Sequence, residues 1–161
     1  ENGFKGEIGL LHIDIDGNDY WIWETINQID PIITIIEYNS ALGIDRAITI
    51  PYDANFIRSN SHYSNLYAGT SLKALDNLAT KKGYKFIGCN SAGNNAYYIK
   101  KTYVSQLSIK PLSLEDGYVT SQFREARDKN GELTYKNGKD SLNLIKGMPV
   151  FNVLNNQIEE L

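Results

Sequence analysis

The sequence predicts an α/β fold, with parallel strands, helices on the faces of the sheet and a terminal antiparallel hairpin. Three observations carry this. Gly9 to Asp16 reads as an apolar strand ending in carboxylates and a glycine turn, a helical periodicity follows, and Ile32-Ile33-Thr34-Ile35-Ile36 forms a second strand without polar alternation. An unalternating β-branched run is the pattern of a parallel strand buried on both faces. Strand, helix and strand in about 30 residues make a βαβ unit, whose crossover is right-handed.

With 161 residues the chain can bury a real core, and 42% hydrophobic with 22% charged residues marks it as folded rather than disordered. A net charge of −3 gives no basic footprint, so no nucleic-acid partner is expected. No apolar run reaches the roughly 20 residues that span a bilayer, so no membrane association is expected. The single Cys89 rules out an intrachain disulfide framework and fits a reducing compartment, with cytoplasmic localisation as the expectation. The chain starts at Glu1 rather than Met, with a strand signal close behind, as in a piece of a longer protein.

In the first strand Leu11, Ile13 and Ile15 share one face, and Leu10, His12, Asp14 and Asp16 the other. Gly17 permits a sharp turn and Asn18 can cap the helix that follows, on which Ile22, Trp23, Ile26 and Ile29 recur at helical spacing. Asp30-Pro31 ends that helix. The second strand runs into Glu37, Tyr38, Asn39 and Ser40.

Ala41 to Gly69 is a long irregular segment. Thr70 or Ser71 then caps a helix with Leu72, Leu75, Leu78 and Ala79 on its buried face and Gly83 at its end. Tyr84–Asn90 and Ala96–Lys100 read as a hairpin around Ser91–Asn95. Gln122 to Asp140 is polar, a surface arm, and Leu142–Val153 can dock back on the body. Residues 1–103 are therefore expected to form the α/β unit and 104–161 a partly irregular extension.

In open α/β sheets, ligands sit beyond the carboxyl ends of the strands. That places Asp14, Asp16 and Asn18 at the candidate site, with Glu37 and Asn39 ending the neighbouring strand. Asp16 and Asn18 also suit a purely capping role. Asp14-x-Asp16 has the form of a divalent-cation site, for Mg or Mn, and of metal-dependent glycosyl transfer. It does not fit a calcium loop, because the glycine falls at position four. His62 and Tyr63 lie in the long segment, where His62 is a base suited to neutral pH. Asn90, Asn94 and Asn95 can hydrogen-bond a hydroxylated acceptor, or simply shape a turn. His12, Trp21, Trp23 and Cys89 read as packing residues.

The run from Leu10 to Tyr20 resembles the strand and turn of FkbM-type methyltransferases. Pro31-Ile32-Ile33-Thr34-Ile35-Ile36-Glu37 is similar to the strand that follows it in that family, and Gly83 to Tyr98 to its closing strands. The resemblance covers roughly residues 8–101. It implies a partial Rossmann-like methyltransferase sheet that uses S-adenosylmethionine in the full-length protein and methylates a hydroxyl of a glycan or small molecule. Asp14 would then orient the acceptor or take its proton, with Asp16 beside it.

The family's glycine-rich cofactor turn and ribose-binding acid are absent from this chain, so the resemblance is to the substrate-side half. The alternative is a non-catalytic interaction module of the same fold. With further strands missing, Leu10–Ile15 would be a free apolar edge that recruits a second copy into a homo-oligomer, unless the Leu142–Val153 tail covers it.

Overall fold

The computed structural model describes residues 3–122 and 125–161. Strand β1 (Gly6–Ile13) pairs in parallel with β2 (Ile29–Glu37), setting Leu11 opposite Thr34 and Ile13 opposite Ile36. Helix α1 (Asp19–Thr25) connects them. Strand β3 (Ile48–Thr49), helix α2 (Arg58–Ser61) and helix α3 (Leu72–Lys82) follow. Strands β4 (Tyr84–Cys89) and β5 (Asn95–Lys100) then form the expected hairpin. β5 inserts antiparallel between β2 and β4, so the sheet order is β1-β2-β5-β4. The fold is mixed α/β.

Several boundaries differ from the sequence reading. The periodicity predicted a helix reaching Ile29, but Ile26 already turns extended with ψ 112° and Ile29 opens β2. Pro31 therefore lies inside the strand. β5 starts to pair only at Ile33, so the missing N–H costs no ladder bond on that side, and the Tyr84 hydroxyl donates to Pro31 O at 2.6 Å. β1 begins earlier than expected and ends at Ile13, which leaves Ile15 50% exposed rather than in the core.

α1 and α3 cover one face of the sheet. Trp23, Leu72, Leu75 and Leu78 pack there against Ile13, Ile36, Phe86 and Tyr98. Trp23 and Tyr98 rings lie 5.3 Å apart and tilted, a favourable aromatic geometry. α3 has the ends its sequence specifies. Ser71 Oγ accepts from Ala74 N at 3.2 Å, and Gly83 closes it in the left-handed region at φ 86°. Short helix α4 (Leu114–Gly117) rests on β4, where a Cβ on Gly117 would stand 2.5 Å from the Phe86 ring.

The long segment after β2 is not structureless. Leu42, Ile48, Ile50 and Leu66 form a second cluster with Ala126, Ile145 and Val150 of the extension. There α5 (Gly138–Leu144) precedes strands β6 (Pro149–Asn152) and β7 (Gln157–Glu160), and β6 pairs with β3 to give a three-stranded sheet. Leu142–Val153 thus docks on the body as expected. The stretch 122–140 is more than a surface arm, because Ala126 is fully buried and Arg127 N donates to Ser64 O at 3.1 Å. Phe123 and Arg124 of that stretch lie outside the described residues.

Among the described residues nothing pairs with the outer edge of β1, where Leu10 is 53% exposed. The C-terminal tail is committed to β3 instead. On the sheet face away from α1 and α3, Ile33 and Ile35 are only half-buried, although β2 carries the pattern of a strand covered on both sides. Among the described residues no helix is long and apolar enough to cross a membrane.

Candidate active site at the carboxyl end of β1

The turn between β1 and α1 is organised by Asp19, which is fully buried. Its Oδ1 accepts from Ile15 N at 2.9 Å and its Oδ2 from Gly17 N at 3.0 Å. Burial pushes the Asp19 carboxyl up, the amides of Ile15 and Gly17 pull it down, and the nearby Asp14 charge adds to the rise. Asp19 is not among the site residues to which the sequence points. Its central role could be read only as an acid two residues after a glycine.

Asn18 does not cap α1. Its side chain makes no capping bond, and Nδ2 donates instead to Asp53 O at 2.8 Å, tying the turn to the long segment. Nor is Gly17 there for a left-handed turn. Asp16 takes the positive φ, at 59°, an angle that aspartate tolerates better than most residues. Gly17 is required for close approach, because a Cβ on it would stand 2.3 Å from Phe56 Cδ1.

Inward-facing Asp19 leaves Asp14 and Asp16 exposed. Arg58 Nη1 donates to Asp16 Oδ1 at 2.8 Å, and Arg58 Nε donates to Asn65 O at 2.7 Å. Beside this bridge opens a cavity of about 400 Å³. Ile15, Phe56 and Ile57 supply apolar wall and Asp16, Arg58 and Asn65 polar wall. Such a pocket suits a ligand with both apolar surface and hydrogen-bonding hydroxyls. Phe56, Arg58 and Asn65 were missed from sequence, since nothing local ties position 58 to position 16.

The remaining predicted residues are placed as follows. Glu37 is buried at the end of β2, in register with Asn95. Asn39 is buried and fully used, with Nδ2 donating to Leu66 O at 2.7 Å and Ala68 O at 2.8 Å, and Oδ1 accepting from Ala41 N at 3.0 Å. That is a clamp on the long segment.

Asn90 Oδ1 accepts from the amides of Gly93, Asn94 and Asn95, while its Nδ2 donates to Asn94 Oδ1 at 2.8 Å. This network shapes the hairpin turn. Asn95 Oδ1 lies 3.3 Å from His12 Nε2, so His12 is an exposed partner of the turn and not a core histidine. Cys89 is half-buried, and burial pushes its thiol up.

His62 Nδ1 lies 2.7 Å from Ser64 Oγ and accepts from Ser64 N at 3.3 Å, and burial pulls the imidazole below its ordinary value. His62 does not line the cavity, but its carbonyl accepts from Asn65 N at 3.0 Å. Tyr63 stacks on the His62 ring at 4.3 Å and stays exposed.

Among the described residues no group of three or more His, Cys, Asp or Glu side chains is placed to hold a metal ion. Asp16 is committed to Arg58 and Asp19 to the backbone, so a cation at Asp14-x-Asp16 draws no support from the geometry. The Phe56 ring fills the side of Gly17 on which a Cβ would stand. No protein-family model, curated protein or solved structure matches the chain.

Proposed function

We propose that this chain is the substrate-side half of a methyltransferase-like domain that presents a hydroxyl of a glycan or small molecule for methylation. One observation carries the reading. An amphipathic cavity opens at the carboxyl end of β1, beside the Asp16 carboxylate of the β1–α1 turn, in a sheet whose parallel pair is closed by an inserted antiparallel strand. Asp14, exposed at that strand end although not among the residues that line the cavity, orients the acceptor hydroxyl. Asp16 and Arg58 bind its neighbouring polar groups, and Phe56 and Ile57 contact its apolar surface.

S-adenosylmethionine is supplied by residues outside this chain, and the unpaired β1 edge and half-covered sheet face are where a further half or a second copy packs. The non-catalytic reading shares this surface and differs in having no transfer activity. Calorimetric titration of the chain with S-adenosylmethionine tests the half-domain reading. Negligible heat at high micromolar cofactor is expected, and low-micromolar binding by this chain alone would overturn it.

A further inference from the structure

We propose that Asn137 is a site of spontaneous covalent modification, where the folded chain converts asparagine into aspartyl and isoaspartyl forms, and that the fold protects Asn130 from the same change. The inference is independent of the methyltransferase reading. The two residues share a local sequence, Lys129-Asn130-Gly131 and Lys136-Asn137-Gly138, and both are exposed. A glycine on the carboxyl side has no Cβ to crowd its own amide nitrogen, which can then attack the asparagine side chain.

The reaction needs water alone. The Gly138 nitrogen gives its proton to solvent and bonds to Asn137 Cγ. The Cγ–Nδ2 bond breaks, and the leaving nitrogen takes up a proton and departs as ammonia. Water then opens the cyclic imide at either carbonyl. Opening at one side gives aspartate, and opening at the other gives isoaspartate, with an extra methylene in the backbone. Either product puts a carboxylate between Lys136 and Lys139, at the entry to α5.

The two sites differ in how the attacking amide is held. Gly131 N donates to Asp128 O at 3.0 Å, and Asp128 N donates to Glu132 O at 2.9 Å. The Asp128 carboxylate accepts from Asn130 N at 2.8 Å and from Glu132 N at 3.0 Å, so a negative charge lies against the amides of this turn. Swinging Gly131 N onto the Asn130 side chain breaks the network, and the carboxylate opposes loss of the amide proton. Gly138 instead opens α5, where its N–H has no acceptor within the helix. Among the described residues no other group accepts from it. The Asn137 side chain makes no capping bond, and its carbonyl accepts from Ser141 N at a long 3.4 Å. Little therefore holds the Asn137–Gly138 peptide against the rotation that the attack requires.

The test keeps the native protein in mildly alkaline buffer and follows both asparagines over time by peptide mapping with mass spectrometry. A parallel sample is held unfolded in guanidinium chloride. In the native protein Asn137 should convert at least about five-fold faster than Asn130, the worth of one hydrogen bond given up at Gly131. In the unfolded sample the two rates should converge, since each asparagine follows a lysine and precedes a glycine. Equal native rates, faster conversion of Asn130, no native conversion at Asn137, or a gap that survives unfolding would overturn the proposal.

Discussion

Phe56 lies so close over Gly17 that a single added Cβ would come within 2.3 Å of Cδ1 of its ring. This contact joins the long segment after β2 to the β1–α1 turn and forms part of the cavity wall. The backbone of Gly17 is not left-handed, so alanine there is strained only by the ring. Gly17→Ala should cost about 1–3 kcal/mol as an overpacking change. In a Phe56→Ala background the same substitution should cost less than about 0.5 kcal/mol. Urea unfolding of the four proteins of this cycle checks it, and equal costs in both backgrounds would show that the ring is not the cause.

Asp19 is the second structural hinge of the site. Asparagine keeps one acceptor and replaces the other with an NH2, so one of the amides of Ile15 and Gly17 loses its partner. Asp19→Asn should destabilise by about 1–3 kcal/mol, the cost of an unsatisfied buried group, and Asp19→Ala by more. Relief of the buried charge offsets part of the asparagine loss. An Asp19→Asn protein more stable than wild type would show that desolvation outweighs the two hydrogen bonds.

The pH dependence follows from His62. Its folded value lies below the ordinary 6.5, so on acidification the unfolded chain takes up the proton first. The contribution is fully present above about pH 6.5 and is lost as pH falls toward the lowered folded value. Protonation of Nδ1 would also set a hydrogen against the Ser64 amide. Asp19 has the opposite sign, because its raised folded value makes its contribution improve as pH falls toward 3.8. His62→Gln should therefore flatten the decline in denaturant midpoint between about pH 7 and pH 5. An unchanged slope would assign the decline to other groups.

The β1 edge predicts self-association. Leu10 is half exposed beside unpaired backbone, whereas Ile13 packs in the core, so Leu10→Lys perturbs the edge without emptying the interior. Burial of apolar surface gives roughly 25 cal/mol per Å² toward association. Sedimentation should find wild type as a dimer or larger species at high concentration and Leu10→Lys shifted toward monomer. A monomeric wild type would mean that a second copy is not what this edge recruits.

Much of the fold was legible because its signals are local. The Ile32–Ile36 run, the Ser71 cap and the Gly83 end of α3, and the hairpin around residues 90–95 each follow from side chains a few positions apart. What was illegible depends on distant contacts. Ile26 and Ile29 fit a helical period, yet pairing with Gly6 of β1 claims Ile29 for β2. The same holds at the site. Asp14 and Asp16 were visible as a strand end, but the Arg58 bridge, the Phe56 cover and the pairing of β3 with β6 span tens of residues and leave no sequence pattern.

The central claim is that Asp14 handles the acceptor in methyl transfer, while His62 holds the long segment. The direct measurement is transfer of labelled methyl from S-adenosylmethionine to hydroxylated acceptors by the protein in its full-length natural form, comparing Asp14→Asn with His62→Ala. Loss of a residue acting on the reacting proton costs about 10² to 10⁴ in rate. A loss of that size for Asp14→Asn, with a much smaller one for His62→Ala, is the predicted result. A larger loss for His62→Ala, or no effect at Asp14, would contradict the account.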